Sequence, residues 1–143
     1  MLVVEPARAS DLSSVAALAS EGLALDPSQM PAAMAHACCM VARDVPTDRI
    51  VGFALARREQ PCEGHIMALA VDRMHRGEGI GRALLGGVRH EMLREGAMRL
   101  SLEVRADNQR AQAFYVRNGF HPEGLESHAY DDGMDAVRFA RAI

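Results

Sequence analysis

No apolar run in the 143-residue sequence approaches the roughly 20 residues that a membrane-spanning helix needs, so no span is expected. The opening Met1-Leu2-Val3-Val4 is too short for a signal peptide. Cys38, Cys39 and Cys62 form no C-x-x-C, and the six histidines form no H-x-x-x-H. An odd set of thiols without ligand spacing reads as small buried hydrophobes in a reducing cytoplasm. Neither a disulfide framework nor a metal site is therefore expected. A basic excess is also missing: the net charge is −3, with arginines scattered among carboxylates, which argues against a nucleic-acid surface. Repeats, linkers and low-complexity segments are absent, so residues 1–143 read as a single domain long enough to bury a core.

What is present centres on Leu69 to Leu85, LAVDRMHRGEGIGRALL. The apolar Leu69, Ala70 and Val71 read as a strand end, and a helix follows, with Ile80, Ala83, Leu84, Gly87 and Val88 as its buried stripe. Between them Gly77, Gly79 and Gly81 fall on alternate positions, where glycine permits positive φ and close approach of a ligand to the backbone. Successive N–H groups and the free donors of a helix start form a phosphate site, and Arg76 and Arg82 flank it. The sixth position from Gly77 is Arg82 and from Gly79 is Leu84, so the dinucleotide fingerprint G-x-G-x-x-G is not met. No G-K-[ST] occurs either, which excludes a P-loop. The stretch instead matches R-x-x-G-x-G/A at Arg76, Gly79 and Gly81. A side chain at Gly81 is expected to occupy the phosphate position.

The remaining chain reads as β-α-α-β-β-β-α-β-α-β-β. Leu2 to Glu5 is a strand, and Ser10 is the expected N-cap of a helix to about Glu21 with Leu12, Val15, Ala16 and Leu18 buried. Asp26-Pro27-Ser28 is a break before a weaker helix from Gln29 to Ala37. Cys39 to Arg43 and Ile50 to Arg57 form a hairpin, and Gly64 to Val71 feeds the glycine turn. The main helix stops at Gly96, Arg99 to Val104 is a strand, and a helix from Gln109 to Asn118 ends at Gly119. Strands from Phe120 and over Ala136 to Ala140 close the chain around a turn at Tyr130 to Gly133.

A second motif, Asn108-x-x-Ala111-x-x-Phe114-Tyr115 followed by Gly119-Phe120, stands at the right distance from the first. Together with R-x-x-G-x-G and the element order, it is similar to the pattern of the GNAT N-acetyltransferases. Leu102-Glu103-Val104-Arg105-Ala106 and the tail Tyr130-Asp131-Asp132-Gly133-Met134-Asp135-Ala136 resemble the bacterial ribosomal-protein-alanine N-acetyltransferases within that family. The tail departs from them in having a shorter turn, with Ala129 in place of one tyrosine of a pair. The region between the first two helices also lacks their aromatic residues.

The resemblance implies an α/β fold, a mixed and strongly twisted sheet of about seven strands with four helices, splayed into a V between the fourth and fifth strands. It implies acetyl-CoA as cosubstrate, without a metal. Leu69, Ala70 and Val71 would hold the pantetheine arm by backbone groups. The amides of Gly77, Glu78, Gly79, Ile80, Gly81 and Arg82 would hold the pyrophosphate with Arg76. Asn108 would reach the arm from the other side or serve only as a helix cap. Tyr115 corresponds to the general acid, and a phenol suits that task because it stays protonated at neutral pH. Glu103 corresponds to the base, acting through water, or is simply a polar position on a half-exposed strand. His128 and Tyr130 are acceptor-side candidates. The acidic Glu123, Glu126, Asp131 and Asp132 either steer a cationic amine or solvate a loop.

The implied reaction is direct acetyl transfer to a primary amine, with a protein N-terminal α-amine as the favoured acceptor. An α-amine is about a tenth neutral at pH 7, whereas a lysine is neutral about once in 2,500, so a single carboxylate base matches the former better. Alternatives are a small amine acceptor (amino acid, polyamine or antibiotic) and, in another class, a non-catalytic acyl-CoA sensor. A cytoplasmic monomer or homodimer without nucleic-acid or membrane partners is expected.

Overall fold

Seven strands pair into one sheet in the order β1-β2-β3-β4-β5-β7-β6. The computed structural model describes residues 1–19, 27–59 and 61–143. The strands are β1 (Leu2–Pro6), β2 (Cys38–Asp44), β3 (Arg49–Glu59), β4 (Glu63–Val71), β5 (Arg99–Arg105), β6 (His121–Glu126) and β7 (Ala136–Ala142). The helices are α1 (Leu12–Ala19), α2 (Met30–His36), α3 (Ile80–Arg94) and α4 (Gln109–Arg117). Among the described residues no helix is long and apolar enough to cross a membrane.

Each face of the sheet carries its own core. On one face Ile80, Leu84, Leu85, Val88 and Met92 of α3 and Tyr115 of α4 pack on Ile66, Leu100, Leu102 and Val104. On the other, Val15 and Ala19 of α1 and Met30 of α2 pack on Val41, Phe53, Leu55 and Ala68. Two sequence expectations are corrected at this level. Ala83 is exposed and Leu85 is buried, because the stripe centres on Leu84, Val88 and Met92, which sets Leu85 inside it and Ala83 beyond its edge. Ser10 is not a helix cap: a 3₁₀ turn over Ala9–Asp11 precedes α1, and the backbone N–H of Arg8 donates to Asp11 Oδ2 at 2.8 Å. The expected extension of that helix to Glu21 lies outside the described residues.

Every adjacent pair of strands is antiparallel except β4 and β5. That parallel pair shares three rungs, Glu63↔Arg99, Gly64↔Leu100 and His65↔Ser101, and then parts. Ile66 to Val71 and Leu102 to Arg105 thus flank a V-shaped gap, as the sequence led us to expect. A bulge accompanies it. Leu55 lies opposite Ala68 while Ala56 lies opposite Ile66, so Met67 is an extra residue on β4. Met67 and Ala68 consequently face the same core, and Leu69 and Val71 are turned to the opposite one. Among the described residues, backbone pairing joins the two half-sheets only at those three rungs beneath the gap.

Candidate active site

The glycine turn stands at the open end of the gap. After β4 a 3₁₀ turn over Arg73–His75 is capped by Asp72, which accepts from the N–H of Met74 and pairs with Arg49. Gly77 and Gly79 then adopt φ of +84° and +81°, the left-handed region that favours glycine. Gly79 is the N-cap of α3, and no side chain bonds the first helical amides there. A Cβ at Gly77 or Gly79 would meet nothing within 4 Å, so the turn presents bare backbone to open space. Arg76 and Arg82 are exposed and pair with no carboxylate among the described residues; Arg76 Nε instead reaches Val71 O at 3.4 Å. Free amides, a helix start and unneutralised guanidiniums fit a pyrophosphate.

Gly81 also makes a contact that the sequence did not reveal. A Cβ there would lie 3.0 and 3.1 Å from Cζ and Cε1 of Phe114. It is the contact glycine between α3 and α4, and a larger side chain would strike Phe114 rather than fill the phosphate position. Arg82 also lines a cleft of about 360 Å³ running between these helices, with Arg89, Arg117 and Arg141 along it. Arg89 and Arg117, like Arg82, have no carboxylate partner among the described residues. Sequence reasoning missed this basic groove because its arginines come from three separate elements.

On the α3/α4 face, Tyr115 is 8% exposed and packs edge-on between Phe114 and Phe120, with ring centroids 5.1 and 5.6 Å away. Burial pushes its phenol up to about 12. It is therefore a proton donor at any physiological pH. Asn108 caps α4, its Oδ1 accepting from the N–H of Ala111 at 3.1 Å, and Gln112 ties the helix to Arg105 O and Ala106 O. Of the two expected roles for Asn108, the cap is the one its Oδ1 performs.

The opposite face carries Glu103. Leu102 and Val104 point into the α3/α4 core, so the alternation of β5 places Ser101, Glu103 and Arg105 on the other side. Tyr115 and Glu103 thus lie on opposite faces of the sheet. Tyr130 is half-buried near Glu103, and its phenol is raised above the ordinary value, first by burial and then by the Glu103 carboxylate. The Arg105 guanidinium lies over the Tyr130 ring at 4.9 Å and grips Asp132 at 2.7 Å, fastening the β6–β7 turn to the end of β5. His128 belongs to that turn's own framework. It has φ +53°, its N–H donates to Asp135, and its Nδ1 lies 3.1 Å from Gly133 O.

Two polar residues at the apex were missed by the sequence reading. His65 Nδ1 lies 3.0 Å from Oγ of the fully buried Ser101, on the last rung before the strands part. Their signal, polar types at otherwise apolar strand positions, becomes visible only once the two strands are aligned. A cavity of about 820 Å³ lies elsewhere, between the end of α2 and the start of β2. Cys38 and Cys39 line it, and burial pushes their thiols up to about 11 and about 12, so both are protonated and poor nucleophiles.

A seven-stranded mixed sheet opened between β4 and β5, with an uncapped glycine turn at the mouth, defines an acyltransferase-type architecture. The sequence profile of the acetyltransferase (GNAT) family matches residues 14–120, and the chain belongs to that family. It is 38% identical over 90 residues to an uncharacterised N-acetyltransferase of Methanocaldococcus jannaschii, a match covering 62% of this chain and 57% of that one. It is 31% identical over 96 residues to N-alpha-acetyltransferase 30 of Schizosaccharomyces pombe, covering 64% of each. The matched stretch therefore spans less than two thirds of either relative. The ribosomal-protein-S18-alanine N-acetyltransferase of Escherichia coli superposes with a TM-score of 0.86 at 25% identity, over 100% of this chain and 94% of that one.

Proposed function

We propose that this protein transfers an acetyl group from acetyl-CoA to a primary amine, and that the amine is a protein N-terminal α-amine. The observation that supports the reading is the uncapped glycine turn that follows β4 where it parts from β5, with Tyr115 on one face of the sheet and Glu103 on the other. Acetyl-CoA supplies the thioester. The backbone of Leu69 to Val71, left without β5 as a partner, holds the extended arm as an added strand would. The amides from Gly77 to Arg82, with Arg76, hold the pyrophosphate, and the arginine groove between α3 and α4 receives the nucleotide end.

The acceptor enters as an ammonium and must lose a proton before it attacks. Glu103 takes that proton, through water, and passes it to solvent. As the N–C bond forms and the C–S bond breaks, Tyr115 gives its proton to the departing sulfur. The second proton lost from nitrogen restores the phenol by way of water. One proton is released per amide formed. Such acid help is worth about 10²–10⁴ in rate. Cys38 and Cys39 line the cavity between α2 and β2 rather than the gap, and their thiols stay protonated, which favours direct transfer over either as an acyl carrier. The α-amine is favoured over lysine because its deprotonation is easier by about 3 kcal/mol.

The test is coenzyme-thiol release from acetyl-CoA with Ala- and Ser-starting peptides beside free amines. Turnover on peptides supports the reading. Turnover on small amines alone removes the protein acceptor while leaving the chemistry. Tight binding of CoA with no turnover on any amine would make the chain an acyl-CoA sensor.

A further inference from the structure

Directly across from Glu103, β7 presents Arg138, the register partner of that carboxylate. Its guanidinium is held from two sides: Nη2 donates to Glu63 Oε2 at 3.0 Å and Nε to Glu123 Oε1 at 3.2 Å. The remaining nitrogen, Nη1, lies 3.8 Å from Glu103 Oε1. Arg99 closes the group from β5, contacting Glu63 at 3.2 Å and Glu123 at 2.6 Å. Three carboxylates are thereby set against two guanidiniums. The surrounding charged and titratable groups are Glu59 and Arg57 on β3, His65 on β4, Arg105 on β5, and Tyr130 and Glu126 in the β6–β7 hairpin. The mechanism above makes no use of Arg138.

We propose that Arg138 sets how much of the bound acceptor amine is the neutral nucleophile, by placing a fixed positive charge beside the carboxylate that receives the amine. An ammonium docked beside Glu103, across the water that relays its proton, would be drawn to the carboxylate and repelled by Nη1 of Arg138. The neutral amine feels only the first contact's hydrogen bond and escapes the repulsion. With Arg138 anchored by Glu63 and Glu123, the guanidinium stays in place when the acceptor arrives. Removing it would leave one guanidinium against three carboxylates, a site that traps the acceptor in its unreactive charged form. Arg138 is thus a positioning residue that also tunes the amine, and the inference rests on Glu103 being the base.

The experiment is the pH profile of kcat, which reports ionisations in the bound complex, for the wild type, Arg138→Gln, Arg138→Lys and Glu63→Gln with one N-terminal peptide. In parallel, the bound amine is titrated directly by NMR, using a peptide ¹⁵N-labelled at its N-terminus in complex with enzyme and desulfo-CoA. For a partly exposed pair at this separation, Arg138→Gln should move the rising limb and the bound-amine titration upward by about half to one pH unit. Arg138→Lys should stay near the wild type. Glu63→Gln, which removes a negative charge and keeps the arginine, should move both downward. All shifts should shrink in high salt.

A uniform loss of kcat in Arg138→Gln with both titrations unmoved would overturn the proposal and make Arg138 a purely structural strut. If Arg138→Gln does not fold, an unmoved or upward shift in Glu63→Gln overturns it instead. Failure of every peptide to turn over removes the α-amine reading and the proposal with it. Peptide turnover with unshifted titrations removes the proposal alone.

Discussion

Tyr115 and its neighbours set the residue-scale expectations. Because burial holds the Tyr115 phenol near 12, its proton is present throughout the range in which an α-amine titrates. The kcat profile should therefore show no falling limb below about pH 10, and a limb centred near 9 would remove Tyr115 as the acid. Tyr115→Phe should lower kcat by about 10²–10⁴ while leaving the dissociation constant for acetyl-CoA, measured by calorimetry, little changed. The two glycines of the turn should behave differently. Gly79→Ala forces a side chain into φ +81° at a cost of about 1–2 kcal/mol and should weaken acetyl-CoA binding by disturbing the first amides of α3. Gly81→Val instead crowds Phe114, so it should lower the melting temperature by overpacking of about 1–3 kcal/mol and reduce kcat through the displaced Tyr115. Loss of binding in the second with stability intact would restore the phosphate position first expected for Gly81.

At the scale of elements, the start of α1 hangs on one buried arginine. Arg43 on β2 is 4% exposed and donates to Glu5 at 2.7 Å, to Asp11 at 2.7 and 3.2 Å, and to Asp48 at 3.2 Å. Arg43→Met would leave Asp11 charged and buried without its partner, and denaturant unfolding should show a loss of about 3 kcal/mol or more. Burial by itself would raise Asp11, but the hydrogen bonds from Arg43 and from the Arg8 backbone outweigh it and hold the carboxyl below its ordinary value. That contribution is complete above about pH 4, the unfolded carboxylate range, and is lost as pH falls through the lower folded value. Thermal melts of wild type and Asp11→Asn should hence converge in acid. Elements such as α3 and β4 were legible in the sequence because their periodicity is local. The phase of α3 was half-read, since Ala83 and Leu85 flank the stripe on opposite sides and only the burial of Met92 a turn beyond Val88 decides for Leu85. The Met67 bulge and the Glu103–Arg138 pair were not legible. Both are matters of register between strands, and the second joins residues brought together only by the order β4-β5-β7-β6.

The whole molecule is two half-sheets, β1 to β4 and β5 to β7, joined by three backbone rungs and by Glu63, which contacts both Arg99 and Arg138 across the seam. The residues proposed for chemistry stand on or above that seam: Tyr115 on the α3/α4 face, Glu103 on the other, the glycine turn at the mouth. The proposed acid, base and phosphate turn rest on motif residues that are contiguous in sequence, whereas the proposed acceptor side depends on the β6–β7 turn and on Arg138, which only the strand order brings beside Glu103. The chain contains no lysine, so an intact-mass assay separates acetylation of an added peptide from any label on the enzyme's own α-amine. The most direct test of the account is coenzyme-thiol release with an Ala-starting peptide, run side by side with the same peptide blocked at its N-terminus and carrying one internal lysine. The account predicts turnover of the free peptide, none of the blocked one, and near-abolition by Tyr115→Phe. Equal turnover of the blocked peptide, or full activity without the Tyr115 hydroxyl, would contradict it.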